Sequence, residues 1–186
     1  MIELPKFMSG RFISDVGLCD DLIGYYKNNP SKYLKKRHYH LSNGPTILNV
    51  ADVDNPIVER FFVVLQNELE NYIELYPYSN MYAGFNLVPF NIQHYKPNEC
   101  YDSWHCERDG RKEETIKRHL AFMLYCNTID EDGGTEFLHQ DYVCNPEKGK
   151  LIFWPSDWTF THSGLKAPKE DKYIVTGWYE YIYQEQ

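Results

Sequence analysis

Residues 119–126 read HLAFMLYC, a short run of apolar and aromatic side chains of the kind that forms β-strands. Runs of similar composition lie on both sides of it along the second half of the chain. We predict strands at Phe85 to Tyr95, Thr135 to Leu138, Lys150 to Trp154 and Lys172 to Tyr183. Turn sequences such as Lys96-Pro97-Asn98 and Asp132-Gly133-Gly134 separate these runs. The pattern therefore predicts several short strands joined by turns.

Helical periodicity is confined to the first half of the chain. One helix is predicted from about Asp15 to Lys27, where apolar residues recur at helical spacing. A second is predicted after Asn55, which suits the cap position, with Pro56 in the first turn and an apolar stripe that includes Phe61 and Leu65. Helices followed by many short strands predict one domain, an antiparallel barrel or sandwich backed by helices.

Composition narrows the class of protein. The formal net charge of −8 disfavours general binding to nucleic acid, because an acidic surface repels phosphate. Five cysteines without CxxC spacing argue against a disulfide framework and against a zinc knuckle, and they favour a reducing compartment. We found neither a signal-peptide pattern nor an apolar run long enough to cross a bilayer. We therefore expect a cytoplasmic protein that does not bind membranes.

The segment around His105 contains a possible metal site. In a strand, His105 and Glu107 would point to one face while Cys106 faces away. His162 lies near the end of another predicted strand, and two imidazoles with one carboxylate form the facial triad of Fe(II) oxygenases. An H-x-E pair also arises easily by chance. The alternative reading of both histidines is that they are partly buried, hydrogen-bonded residues.

A rival pair of ligands occurs at His139 and Asp141. Aspartate is the commoner carboxylate in such triads, but His139 lies only 23 residues before His162, whereas His105 lies 57 residues before it. The shorter gap leaves too few strands for the two arms to face each other across a barrel. We therefore favour His105 and Glu107.

From about Phe90 to Tyr181 the chain resembles the 2-oxoglutarate/Fe(II) oxygenases of the prolyl 4-hydroxylase type. The resemblance rests on several blocks in the family's order. They are Tyr95-Lys96-Pro97, Asp109-Gly110, Arg118 and the strand to Asn127, Gly133-Gly134-Thr135-Glu136-Phe137, Pro146 to Phe153, His162, Lys172, Thr176 and Trp178. The resemblance implies a mainly β fold with supporting helices, a double-stranded β-helix (the cupin-like jelly roll). We expect helical support over about residues 1–82 and the jelly-roll core over about 83–184.

The resemblance also implies cofactors and residue roles. The cofactors would be Fe(II), 2-oxoglutarate as co-substrate and O2, with ascorbate as an accessory reductant. The iron ligands would be His105, Glu107 and His162, and His139 and Asp141 would fall where the family has no ligands. The co-substrate pocket would be formed by Lys172, Tyr125, Tyr95 and Thr176, with Lys172 pairing with the distal carboxylate. Arg118 and Trp178 would lie near the substrate.

The sequence leaves three questions open: the effect of Glu107 as a ligand, the substrate, and whether the domain is catalytic. The family usually has aspartate where this chain has Glu107, and the extra methylene changes the reach of the ligand. The resemblance implies a prolyl residue in a peptide or protein as substrate, with a free amino acid or other small molecule as the alternative. A non-catalytic jelly-roll module that binds a metal or ligand is a further reading. In that case Lys172 would be a surface residue and the aromatic residues would only fill the core.

Overall fold

The computed structural model describes residues 2–35, 44–80 and 84–182. Its α-helices are α1 (Gly17–Lys27), α2 (Pro56–Leu75) and the single-turn α3 (Glu113–Ile116). Its strands are β1 (Ser9–Phe12), β2 (Tyr33–Lys35), β3 (Thr46–Val50), β4 (Phe85–Leu87), β5 (Phe90–Tyr95), β6 (Arg118–Tyr125), β7 (Thr135–Phe137), β8 (Tyr142–Cys144), β9 (Lys150–Pro155), β10 (His162–Gly164) and β11 (Lys172–Tyr181). Short 3-10 turns at Leu138–Gln140 and Trp158–Phe160 lie beside the second sheet.

Two antiparallel sheets make up the β structure. The larger one has the strand order β1-β9-β6-β11-β5-β3-β2, and β4 also pairs with β11. The smaller one has the order β10-β7-β8. The predicted mainly β jelly roll with supporting helices is confirmed.

One face of the large sheet packs against α1 and α2. The cap of α2 forms as predicted, because the Asn55 side chain accepts a hydrogen bond of 3.0 Å from Ile57 N. Phe61 in α2 packs on Phe90 and Phe122 in the sheet, with ring centroids 5.1 and 6.1 Å apart. Because these side chains are almost completely buried, this layer forms the main hydrophobic core.

The other face of the large sheet is covered by the small sheet. A second apolar cluster fills the space between them, and it includes Met123, Tyr125, Phe137, Ile152 and Trp154. Alternation along β11 places Val175 on the helix side and Ile174 on this inner side. The residues that share the parity of Ile174 are Lys172, Thr176 and Trp178, so they line the inner face near the candidate site.

The N-terminal region contributes more than helices. β1 pairs with β9, β2 with β3, and β3 with β5, so three strands absent from our prediction complete the large sheet. These strands have three to five residues each, which is too short for a clear alternating pattern. Ser9 and Arg11 in β1 hydrogen-bond the buried carboxylate of Glu68 in α2 at 2.5 and 2.6 Å, which ties the first strand to the helix layer.

Several predicted boundaries need correction. α1 begins at Gly17 rather than near Asp15. The strand predicted over Phe85 to Tyr95 is two strands, β4 and β5, because Pro89 has no N–H to donate to the ladder. β11 ends at Tyr181, and Tyr183 and the expected boundaries near residues 82–83 and 184 lie outside the described residues. No helix in the described part of the chain is long and apolar enough to span a membrane.

Candidate metal centre and co-substrate pocket

The two histidines meet through a single antiparallel bridge at the edge of the small sheet. His105 N donates to His162 O at 3.1 Å, and His162 N donates to His105 O at 2.8 Å. Directly paired residues project their side chains to the same side, and the two imidazole rings lie 4.3 Å apart. The segment from Tyr101 to Glu107 is otherwise irregular, so the strand conformation that we assumed for His105 and Glu107 is wrong, although their side chains converge as expected.

Local backbone carbonyls orient both imidazoles. His105 Nδ1 lies 2.8 Å from Ser103 O, and His162 Nδ1 lies 2.9 Å from Phe160 O. A ring nitrogen held in this way leaves Nε2 as the ligand atom, which is the usual arrangement for metal-binding histidines. Both Nε2 atoms face Glu107 Oε1, at 3.8 Å from His105 and 3.4 Å from His162. Cys106 is turned away, as expected, with its Sγ 3.6 Å from Arg108 O.

The carboxylate of Glu107 is held in its charged form. Burial alone would raise its pKa, but the hydrogen bond with His162 and the positive charges of His105, His162 and Arg118 lower the pKa to about 2. Its second oxygen, Oε2, accepts hydrogen bonds from Trp178 Nε1 at 2.7 Å and from Arg118 at 3.2 Å. A divalent cation could therefore be bound by this anionic carboxylate together with the two imidazole nitrogens.

The donor set fits iron. The ligand atoms of His105, Glu107 and His162 all lie within 4.8 Å of one another, and no other group of three such residues is this close within the described ranges. Two imidazole nitrogens and one carboxylate oxygen on one side of an octahedral ion leave three positions open. The rival residues contribute nothing to this cluster. His139 packs against Trp158 with ring centroids 5.7 Å apart, and Asp141 closes a 3-10 turn with φ at 48°.

Lys172 is a buried cation without an acidic partner among the described residues. It begins β11, is 3% exposed, and donates to Gly133 O at 2.8 Å and Leu165 O at 3.2 Å. Its Nζ also lies 4.8 Å from the centre of the Tyr95 ring, on the neighbouring strand. Burial lowers the pKa of Lys172 to about 8. A buried ammonium held only by neutral groups is costly, and a ligand carboxylate would offset that cost.

A series of hydrogen-bonded polar side chains crosses the inner face of the large sheet next to Lys172. Tyr95 donates its hydroxyl proton to Gln93 Oε1 at 2.6 Å, and Gln93 Nε2 donates to Thr176 Oγ1 at 2.7 Å. Tyr95 and Thr176 were both predicted in this pocket, whereas Gln93 was missed. The available signal was its spacing, because residues i and i+2 of a strand share one face and Tyr95 lies on the pocket side.

Tyr125 lies deeper than the resemblance implies. Its side chain is fully buried, and its hydroxyl lies 2.9 Å from Thr135 Oγ1 and 3.0 Å from Cys144 O. Burial raises its pKa well above the ordinary value, so the phenol stays neutral. The structure thus gives Tyr125 protein partners, and its contact with a co-substrate remains a prediction.

Arg118 and Trp178, predicted near the substrate, both contact the metal ligand Glu107. The Arg118 guanidinium lies 3.7 Å from the centre of the Trp178 ring. Arg118 also donates to the backbone oxygen of Glu107 at 3.1 Å. The two side chains stack on each other and both contact Glu107.

Comparison with known proteins agrees with this geometry. Residues 90–180 match the family model described as the 2OG-Fe(II) oxygenase superfamily. No curated relative matches the sequence. The matched region runs from β5 almost to the end of β11, and it contains all three candidate metal ligands together with Lys172.

Solved structures share the fold at low sequence identity. The 2OG complex of the viral collagen prolyl hydroxylase from Paramecium Bursaria Chlorella virus-1 is 18% identical, with a TM-score of 0.74 over 96% of this chain and 97% of that one. A prolyl-4-hydroxylase from Pseudomonas putida is 17% identical, with a TM-score of 0.69 over 94% and 92%. A prolyl hydroxylase from Trichoplax adhaerens, solved with a hypoxia inducible factor peptide fragment, is 13% identical, with a TM-score of 0.67 over 93% and 82%.

The family model, the jelly-roll fold and the His-Glu-His cluster support one assignment. Fe(II), 2-oxoglutarate and O2 are accordingly the cofactors of this protein. Over residues 90–180, about half of its length, the chain matches the 2OG-Fe(II) oxygenase superfamily, and it is a 2-oxoglutarate/Fe(II)-dependent oxygenase with the fold of the prolyl hydroxylases.

Proposed function

We propose that this oxygenase hydroxylates a prolyl residue within a peptide or protein. The observation that carries the substrate is the similarity to prolyl hydroxylases over more than nine-tenths of the chain, which extends well beyond the residues that hold the metal. One of those enzymes was solved with a peptide fragment bound. The proposal therefore names a peptide-borne proline rather than a free metabolite.

In this proposal the three ligands have a common task. His105, Glu107 and His162 hold Fe(II) through two imidazole nitrogens and one carboxylate oxygen. Bound iron supplies the redox chemistry that activates O2 and oxidises the substrate. The protein's part is to fix the ligands, to orient the two organic substrates and to exclude water.

Lys172 anchors 2-oxoglutarate by its distal carboxylate. Its ammonium group already has two carbonyl acceptors and still lacks an anion within the described part of the chain. The distal carboxylate of 2-oxoglutarate would be this anion, held by a charge-assisted hydrogen bond from the buried ammonium group. Gln93 and Thr176 lie farther along the same inner face and keep the Tyr95 phenol in place. Ile174 and Met123 belong to the buried apolar cluster on this face, which limits the access of water to Lys172.

The decisive experiment pairs binding with product analysis. Under anaerobic conditions, Fe(II) and 2-oxoglutarate added to the protein should give a visible charge-transfer band. After O2 is admitted, proline-containing peptides should gain the mass of one oxygen atom, with succinate formed in equal amount. Peptides with alanine in place of proline serve as the control.

Two results would count against the proposal. If a small metabolite and no prolyl peptide raised succinate formation, the substrate would be a free molecule. If no charge-transfer band formed, the chain would not bind its co-substrate at the metal, and the assignment of the pocket would be wrong.

A further inference from the structure

The two carboxylate oxygens of Glu107 have different surroundings. Oε1 faces the Nε2 atoms of His162 and His105 at 3.4 and 3.8 Å. Oε2 instead accepts hydrogen bonds from Trp178 and Arg118 at 2.7 and 3.2 Å. The carboxylate thus presents one oxygen to the metal position, while protein donors occupy the other.

This asymmetry matters because the ligand is a glutamate. Carboxylates bind cations through one oxygen or through two, and glutamate is a familiar two-oxygen ligand. The side chain of glutamate has one more torsion than that of aspartate, so Glu107 has more freedom to turn both oxygens towards an ion. An octahedral ion with three protein ligands has three open positions, which 2-oxoglutarate and O2 together fill. A second oxygen from Glu107 would take one of them.

We propose that Trp178 and Arg118 are positioning residues that hold Oε2 away from the iron, so that Glu107 binds it through Oε1 alone. This inference rests on the proposed roles of iron and 2-oxoglutarate at the site. It also assigns both residues a task at the metal ligand in place of the substrate contact that the resemblance implied.

Trp178 and Arg118, which together form a clamp on Glu107 Oε2, are both carried by paired strands of the large sheet. Trp178 lies inside β11, paired with Ala121 of β6, and its carbonyl accepts a hydrogen bond from Val88 N. Arg118 begins β6, opposite Glu180 of β11. Stacking of the guanidinium on the indole at 3.7 Å fixes the two donors relative to each other. The irregular segment that carries Glu107 is therefore held by two central strands of the large sheet.

The test compares two tryptophan-to-phenylalanine variants. Trp178→Phe removes the indole N–H that binds Oε2. Trp158→Phe is the control, because the Trp158 side chain is 68% exposed and its ring contacts His139, which is not among the clustered metal ligands. Three quantities are measured without prolyl substrate: Fe(II) affinity by chelator competition, 2-oxoglutarate affinity by the anaerobic charge-transfer band, and the visible spectrum of the Co(II)-substituted protein.

For Trp178→Phe we expect 2-oxoglutarate affinity to fall by about tenfold or more, which corresponds to about 1.4 kcal/mol. Fe(II) affinity should change much less, because all three ligands remain. The Co(II) spectrum before 2-oxoglutarate is added should differ from that of the unmodified protein, since the coordination of Glu107 has changed. Trp158→Phe should match the unmodified protein in all three measurements. Trp178→His, which keeps an N–H donor, should recover part of the loss.

Other results would overturn the inference. A Trp178→Phe protein with unchanged Co(II) spectrum and unchanged 2-oxoglutarate affinity would show that the clamp has no effect. In a separate turnover assay, a raised KM for the prolyl peptide with unchanged Co(II) spectrum and 2-oxoglutarate affinity would make Trp178 a substrate contact. If Trp178→Phe does not fold, Arg118→Gln is measured in the same way. If the unmodified protein does not bind 2-oxoglutarate, the proposed function fails, and the Co(II) spectra still decide whether Trp178 controls the carboxylate.

Discussion

At the scale of single residues, Lys172 has the surroundings that most clearly call for a ligand. Truncating one partner of a buried charged pair typically costs about 2–5 kcal/mol, which is more than tenfold in affinity. Lys172→Ala should therefore weaken binding of 2-oxoglutarate at least tenfold. Fe(II) affinity should stay nearly unchanged, because Lys172 is not among the clustered metal ligands.

Anaerobic titration of 2-oxoglutarate into the Fe(II)-loaded variants measures this effect. Lys169→Ala is a suitable control, since that side chain is 75% exposed and pairs with Glu131 at the surface. An unchanged affinity in Lys172→Ala would mean that the co-substrate carboxylate is bound elsewhere.

The same residue predicts a pH dependence. Burial lowers the pKa of Lys172 to about 8, so the ammonium form predominates below that pH and the neutral amine above it. A carboxylate ligand needs the ammonium form. The affinity for 2-oxoglutarate should therefore fall as the pH rises through 8, by about tenfold between pH 7 and pH 9.

Lys172→Arg separates this cause from others. A guanidinium remains charged throughout the range, so the variant should bind 2-oxoglutarate with little dependence on pH even if its affinity is lower. A decline of the same size in Lys172→Arg would assign the pH dependence to another group.

At the scale of secondary structure elements, β11 is held close to its neighbours by a glycine. A Cβ atom at Gly177 would lie 2.5 Å from the Phe122 ring and 3.0 Å from Phe90 Cβ. Overpacking of this kind typically costs about 1–3 kcal/mol. We expect Gly177→Ala to lower the free energy of unfolding by that amount in urea denaturation, and Phe122→Leu in the same chain to restore part of it.

Gly24 in α1 provides a control of opposite sign. No atom lies within 4 Å of a Cβ built there, and alanine favours the helix by about 1 kcal/mol over glycine. Gly24→Ala should leave stability unchanged or raise it slightly. Equal destabilisation by both substitutions would show that the contact with Phe122 is not the cause.

At the scale of the whole molecule, ligands should stabilise the fold. The candidate site lies between the two sheets, because His162 is in the small sheet, while Lys172 and Trp178, which donates to Glu107, are in the large one. A ligand at a hundred times its dissociation constant adds about 2.7 kcal/mol. For a chain of 186 residues this corresponds to a rise in Tm of about 5–11 °C.

Thermal unfolding followed by circular dichroism under anaerobic conditions checks this prediction. Fe(II) and 2-oxoglutarate together should raise the Tm more than Fe(II) alone, and the increment from 2-oxoglutarate should vanish in Lys172→Ala. A Tm that does not respond to either ligand would mean that the folded protein binds neither Fe(II) nor 2-oxoglutarate.

Local features of the sequence determined much of this protein. The cap at Asn55 and Pro56 marked the start of α2, and short apolar runs marked β6, β7, β9 and β11. The spacing to His162, together with the resemblance to the family, selected His105 and Glu107 over His139 and Asp141. The resemblance to a family then implied Lys172, whose burial without an acidic partner in the described chain agrees with that role. These features depend on side-chain period and residue type, which can be read along the chain.

Tertiary structure alone decided the remainder. The bridge between His105 and His162 joins residues 57 positions apart, and it forms because β10 lies at the open edge of the small sheet. Three other features likewise depend on which strands become neighbours. They are the three N-terminal strands, the hydrogen bonds of Gln93 with Tyr95 and Thr176, and the contacts of Arg118 and Trp178 with Glu107. Periodicity shows which face a side chain occupies within its own strand, but pairing and register across the sheet determine which residue it meets.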